Sequence, residues 1–300
     1  MAARISRREL ALAAAAGAAA VKGARAQKDA DAKLDTAEFD PVAWTMHRYE
    51  SAPMRLTFNA KTRKEAEAWQ QQLRAKVTEL IGGFPDTRSP LRAQTLEVRE
   101  FPAYKREKFI FESRPGVGVM AYLITPLKAS GPLPVAVCIP GHGRGVDDAV
   151  GIDERGQDIS EPTGYEHGFP LQAASHGVAA VAIEPMAFGC RRDAITAKKG
   201  KGTTACQPTA GSALLFGETM IAWRIYDVMR TIDWIETRPE LNAKQVGCMG
   251  ISGGGTCTLF AAALDSRIKA ALVSGYLNTF RASIMSMSHC IDNYVPGILN

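Results

Sequence analysis

The spacing of apolar positions along this chain changes character twice. Over 61–80, KTRKEAEAWQQQLRAKVTEL, Ala68, Leu73, Val77 and Leu80 approximate one apolar stripe and predict a helix. Thr62 can cap it with Glu65 three residues later, and Gly82, Gly83 and Pro85 stop it. Three strand-like runs follow, at 95–100, 108–112 and 118–124, separated by Pro102 and by Arg114, Pro115 and Gly116, so antiparallel pairing is predicted. Beyond residue 130 the pattern becomes strand, loop, helix. Continuous apolar runs at 135–139, 178–183, 245–249 and 268–273 predict buried parallel strands, with helices over 168–176, 214–237 and 253–264 between them. Such alternation implies right-handed crossovers and a three-layer α/β sandwich whose mostly parallel central sheet has antiparallel leading strands. Reactive groups then belong in the loops after Ile139, Ile183, Met249 and Val273, at the C-terminal ends of the strands.

Residues 1–26 stand apart from this pattern. Arg7 and Arg8 precede an Ala-rich stretch from Ala11 to Val21, and Ala24, Arg25 and Ala26 read as a cleavage site. The stretch is too short for a spanning helix, and the paired arginines resemble a twin-arginine export signal, which predicts a periplasmic or secreted product without stable membrane insertion. The predicted organisation is a signal peptide over 1–26, an N-terminal arm and helix over 27–93, and an α/β domain over 94–300. The chain carries 36 basic and 31 acidic residues; the leader holds five and one of these, leaving 31 and 30 and a net charge of +1. That balance excludes a nucleic-acid partner as the organising function. Six scattered cysteines form no CxxC pair, and neither a metal site nor a cofactor is expected. Cys138 and Cys248 read as packing residues, whereas a Cys190–Cys206 bridge is left open.

The candidate chemistry centres on Gly250-Ile251-Ser252-Gly253-Gly254, a G-x-S-x-G sequence between a strand and an apolar helix. It predicts a nucleophile elbow with Ser252 at its apex, where Gly250 and Gly254 allow the tight turn. A phosphate-binding loop is disfavoured, because no G-x-G-x-x-G and no following lysine accompany it. Gly141-His142-Gly143-Arg144 follows the first central strand, and Gly143 or Arg144 would supply an oxyanion donor to partner the N–H of Gly253. His142 reads chiefly as a packing or loop-fixing residue, with general base as the minor reading. On the helix over 214–237, Arg224, Asp227 and Arg230 lie at spacings that permit charge pairs, and the Lys-rich segment that ends at Pro208 reads as either a substrate-entry loop or a solvated lid.

These motifs, with the runs Trp223–Arg230, Asp233–Ile235 and Arg238–Glu240, resemble the acetyl xylan esterase and dienelactone hydrolase-like branch of the α/β hydrolases from about residue 95 onward. The resemblance implies a cofactor-free serine carboxylic ester hydrolase acting on short-chain, chiefly acetyl, esters of small molecules or carbohydrates through an acyl-enzyme on Ser252. Peptidase, amidase and thioesterase chemistry remain alternatives on the same fold, as does an inactive exported binding or scaffold fragment. The resemblance also implies a catalytic acid and histidine after two further strands, so that the domain is expected to lack its last two strands and both of those residues. His289, with Asp292 to orient it, is the weak substitute candidate for the base.

Overall fold

The computed structural model describes residues 40–128, 131–159 and 164–299; the signal predicted over 1–26 lies outside these. They divide into two units, the first ending at Ala52. In the first, α1 (Pro41–Ser51) starts from Asp40, whose carboxylate accepts the N–H groups of Val42 and Ala43. The second opens with α2 (Arg63–Leu80), where the Thr62 hydroxyl accepts from Glu65 N and the Glu65 carboxylate accepts from Thr62 N, a complete capping box.

The sheet is built from β1 (Gln94–Glu100), β2 (Tyr104–Arg114), β3 (Val117–Pro126) and β4 (Leu133–Ile139). Two short helices, α3 (Val146–Ala149) and α4 (Phe169–Ser175), then lead to β5 (Ala179–Ile183). After it come α5 (Ala194–Ala197), α6 (Cys206–Leu215), α7 (Met220–Ile235), β6 (Leu241–Ile251), α8 (Gly253–Leu264) and β7 (Ile268–Ser274). The spatial order is β1-β2-β3-β5-β4-β6-β7. Pairing is antiparallel from β1 through β3 to β5 and parallel from β5 through β4 and β6 to β7. Among the described residues seven strands form one continuous sheet, and β6 and β7, the last two runs that the pattern predicts, are both in place; the expectation of a sheet lacking its last two strands is corrected to that extent. That expectation assumed that the acid and base must follow further strands; the placement of His142 and Asp292 below removes its basis.

Period-two alternation decides which side chains meet which layer. On β3, Val119, Ala121 and Leu123 join Val135, Val137 and Ile139 of β4 in the core beneath α7 and α8, while Met120, Tyr122 and Ile124 face the opposite side. Both faces are covered, so the central strands read as unbroken apolar runs. Trp234 of α7 stacks on Phe109 of β2 with ring centroids 4.0 Å apart and anchors that helix to the sheet.

The helix predicted as one piece over 214–237 is two. α6 ends before Gly217, which adopts φ +73°, and Thr219 caps α7 by accepting from Ala222 N. At the start of α8 the helix presses on the end of β4, since a Cβ on Gly254 would lie 1.9 Å from the carbonyl oxygen of Ile139.

Two stability consequences follow from this packing. Trp234→Ala should lower unfolding free energy by about 3–5 kcal/mol, measured as a shift in urea midpoint at unchanged slope. Gly254→Ala should destabilise by about 1–3 kcal/mol or more through displaced backbone; an unchanged midpoint would contradict the close approach of α8 to β4.

Candidate active site

Ser252 occupies the turn between β6 and α8 at φ 52° and ψ −116°, a strained conformation for a residue with a side chain. Its N–H donates to Ser274 O at 2.9 Å, and its carbonyl accepts from Thr256 N at 2.9 Å. A Cβ on Gly250 would lie 2.4 Å from Gly254 O, so only glycine lets the turn close. The loop after β4 lies against this turn: a Cβ on Gly141 would sit 3.2 Å from Ser252 Cβ. One on Gly253 would sit 3.1 Å from Cε1 and Nδ1 of His142. The imidazole therefore covers the first turn of α8.

The other ring nitrogen faces sulfur. His142 Nε2 is 3.2 Å from Cys290 Sγ and 3.5 Å from Cys206 Sγ, with Asp292 Oδ2 at 3.9 Å. Three segments supply these groups: the loop after β4, the first residue of α6, and the chain at the short 3-10 turn Ile291–Asn293, which carries both Cys290 and Asp292. Thr256 Oγ1 donates to Asn293 Oδ1 at 2.8 Å and fixes that turn to α8.

Arg224 of α7 organises the cluster from below. Its guanidinium donates to the Asp292 carboxylate, to Met186 O at 2.8 and 3.1 Å, and to Cys206 Sγ at 3.4 Å, and it lies over the Phe188 ring at 4.4 Å. Both members of the Arg224–Asp292 pair are buried. Burial opposes charge on Asp292, but the Arg224 guanidinium prevails and holds the carboxyl below the usual carboxylate range. The Cys206 thiol is drawn well below its ordinary range by hydrogen bonding to Cys290, against burial and with help from His142 and Arg224. Cys290, which shares the proton with it, is pushed upward. A thiolate at the N-terminus of α6, beside a guanidinium and an imidazole, is chemically an activated nucleophile.

The serine-esterase reading, with its acyl-enzyme on Ser252, is corrected by this arrangement. Among the described residues the imidazole hydrogen-bonds to thiols, and no hydrogen bond reaches the Ser252 hydroxyl. The reading of a chain that stops before its acid and histidine falls with it, because His142, Cys206 and Asp292 together provide imidazole, thiol and carboxylate. His289 bonds locally, to Ser283 Oγ at 3.1 Å and Asn293 Nδ2 at 3.1 Å. Asp292 faces His142 instead. Arg144 turns its side chain to Asp148 and to Ile152 O, while the space beside Gly143 is open. Arg224 and Asp227 pair off their own helix, with Asp292 and Arg191. Cys190 and Cys206 are both free thiols, and the sulfur neighbour of Cys206 is Cys290.

Sequence reasoning missed Cys206 and Cys290 altogether as chemistry. No short spacing links residues 142, 206, 290 and 292; only the approach of three loops at one end of the sheet brings their ligand atoms within 4.8 Å of one another. A nitrogen, two sulfurs and a carboxylate also form a donor set suited to a soft metal ion. Positive charge is already supplied there by Arg224, which occupies Asp292 and Cys206 and would compete with a cation for both.

Comparison with known proteins places this geometry in context. YtaP of Bacillus subtilis (strain 168), a candidate hydrolase, is 27% identical over 196 residues, covering 65% of this chain and 60% of the relative. BF1801, a candidate acetyl xylan esterase of Bacteroides fragilis NCTC 9343, superposes with a TM-score of 0.65 at 20% identity over 79% of this chain and 60% of that one. The methylesterase BT1017 gives 0.53 at 20% identity over 70% and 42%. These structural likenesses establish the fold, and the chain spans about 60% of the length of the first two relatives. The Abhydrolase family model matches residues 42–293, which take in the elbow, the β4 loop and the thiol cluster, and the chain belongs to that family.

Proposed function

We propose that this chain carries the catalytic centre of a hydrolase for small or carbohydrate esters in which the Cys206 thiolate receives the acyl group. The observation that carries the reading is the position of His142, whose ring has thiols at 3.2 and 3.5 Å on one nitrogen and the start of α8 against the other. An imidazole so placed reaches both the nucleophile and the backbone donors of the elbow. The names of the neighbouring proteins, an acetyl xylan esterase and a methylesterase among them, agree with an ester substrate.

In this mechanism the Cys206 sulfur attacks the ester carbonyl, and the N–H of Gly253, with that of Gly143 or Arg144, stabilises the tetrahedral oxyanion. His142 delivers a proton to the departing alcohol, leaving a thioester. Water, deprotonated by the same imidazole, then attacks the thioester carbonyl and releases the acid and the thiolate. Asp292, kept ionised by Arg224, lies 3.9 Å from His142 Nε2 and supplies the negative charge beside the imidazole in both steps. Cys290 shares its proton with Cys206 and keeps the resting thiolate buried without an unpaired charge. A twin-arginine leader over 1–26, as the paired arginines suggest, would direct this activity to the periplasm or outside the cell.

Two outcomes are expected. Against a chromogenic short-chain acetate, Cys206→Ala should lower kcat/KM at least on the order of 100-fold, with Ser252→Ala within about tenfold of wild type. The reverse ranking would overturn the thiol mechanism. Because the Cys206 pKa is depressed, its thiolate persists as pH falls, so alkylation by iodoacetamide should be nearly as fast at pH 6 as at pH 8. An ordinary thiol would slow about 100-fold over those two units, and such a decline at Cys206 would sink the assignment.

A further inference from the structure

The loop that carries His142 and Gly143 is gripped at both ends by buried carboxyl groups. At its start, Gly141 N donates to Glu166 Oε1 at 2.7 Å. At its end, Val146 N donates to both oxygens of Glu184, at 3.2 and 3.3 Å. Glu184 is 1% exposed and Glu166 is 3% exposed. The Glu184 carboxyl fills a slot between two loops: a Cβ on Gly145 would lie 2.5 Å from both its oxygens, and one on Gly189 would lie 1.9 Å from Oε2. These glycines sit at φ +95° and +44°, so the backbone on either side is shaped around the carboxyl group. Its position directly after β5 makes it the link between the β4 loop and the β5 loop, and the Cys190 N–H adds a hydrogen bond from the second. Neither glutamate takes part in the chemistry described above.

We propose that Glu184 and Glu166 are positioning residues that hold the Gly141–Val146 loop, and with it His142, against the first turn of α8. The assignment rests on the preceding reading only in treating His142 as the working imidazole. The charged and titratable groups around the two carboxyls are few. Asp147 of α3, itself bonded to Tyr122, and Arg191, paired with Asp227, face Glu184 together with the Cys190 thiol; Asp148, bonded to Arg144, faces Glu166. Burial pushes Glu184 up to about 8 and Glu166 up to about 7, against the backbone N–H bonds that favour their ionised forms. For an acid with a raised folded pKa, the folded state holds the extra proton. Its stabilising contribution is present below about pH 4.5 and is lost as pH rises through about 7 to 8, so the grip should loosen over that window.

The test follows the loop itself as well as catalysis, using full-length protein and amide hydrogen exchange at Gly141 and Val146, corrected for intrinsic rate. Glu184→Ala should accelerate exchange at Val146 at least on the order of tenfold and slow alkylation of Cys206, whereas Glu184→Gln, which still offers an acceptor oxygen, should retain both values. Should Glu184→Ala fail to fold, the Gln variant still decides: wild-type protection at Val146 should fall between pH 6 and pH 9 and that of Glu184→Gln should stay level. Equal exchange in wild type and Glu184→Ala, or parallel pH profiles in wild type and Glu184→Gln, would overturn the proposal. The thiol reading fails separately, on Cys206 alkylation that is indifferent to His142→Ala while the exchange differences at Val146 persist.

Discussion

The buried ion pair between Arg224 and Asp292 is the interaction on which the candidate site depends. A guanidinium and a carboxylate removed from water cost several kcal/mol each unless every hydrogen-bonding position is used. Arg224 meets that demand with Asp292, the carbonyl of Met186, the sulfur of Cys206 and the face of Phe188. Four separate parts of the chain are thereby held at one point: α7, the loop after β5, the start of α6 and the turn at Ile291–Asn293. The charge that secures this junction also sets the chemistry beside it, because it keeps Asp292 ionised and favours a thiolate on Cys206.

Above that junction two rigid turns set the reacting geometry. One is the elbow at Ser252, closed by glycines at 250 and 254 that no other residue could replace without moving backbone. The other is the loop after β4, whose His142 stands between the elbow and the sulfurs. The parallel pairing of β4 with β6 brings the two turns to the same end of the sheet, and residue for residue Ile139 lies beside Gly250. The fold contributes proximity, while the side chains that gather from α6, α7 and the C-terminal turn contribute the charge.

The features legible in the sequence are those written in short spacings. Thr62 and Glu65 announced the capping box, the apolar runs announced the strands, and Gly250, Ser252 and Gly254 announced a tight strand-to-helix turn. The break between α6 and α7 was also encoded locally, in Gly217 and Thr219, but the apolar residues on either side masked it. The thiol cluster is different in kind. His142 and Asp292 were noticed for other reasons, and Cys206 was read only as half of a bridge with Cys190. Their association is a product of loop convergence, which leaves no periodicity to find. Arg106 and Glu107 on β2 show the same limit: both are buried in the structure, because Asp158 and Arg238 come from distant loops to pair with them.

The span of the Arg224–Asp292 pair has a consequence for biosynthesis. Its partners lie 68 residues apart, and the carboxylate is the later of the two to leave a ribosome. Until the turn at Ile291–Asn293 emerges, α7 cannot settle on the sheet without burying an unmatched guanidinium. A nascent chain therefore keeps Arg224 hydrated and this corner of the domain open, and closure of the corner coincides with delivery of Asp292 to the imidazole. Assembly of the thiol cluster in this way waits for the Ile291–Asn293 turn, so that a chain made only as far as α7 exposes a loose helix rather than a finished cluster.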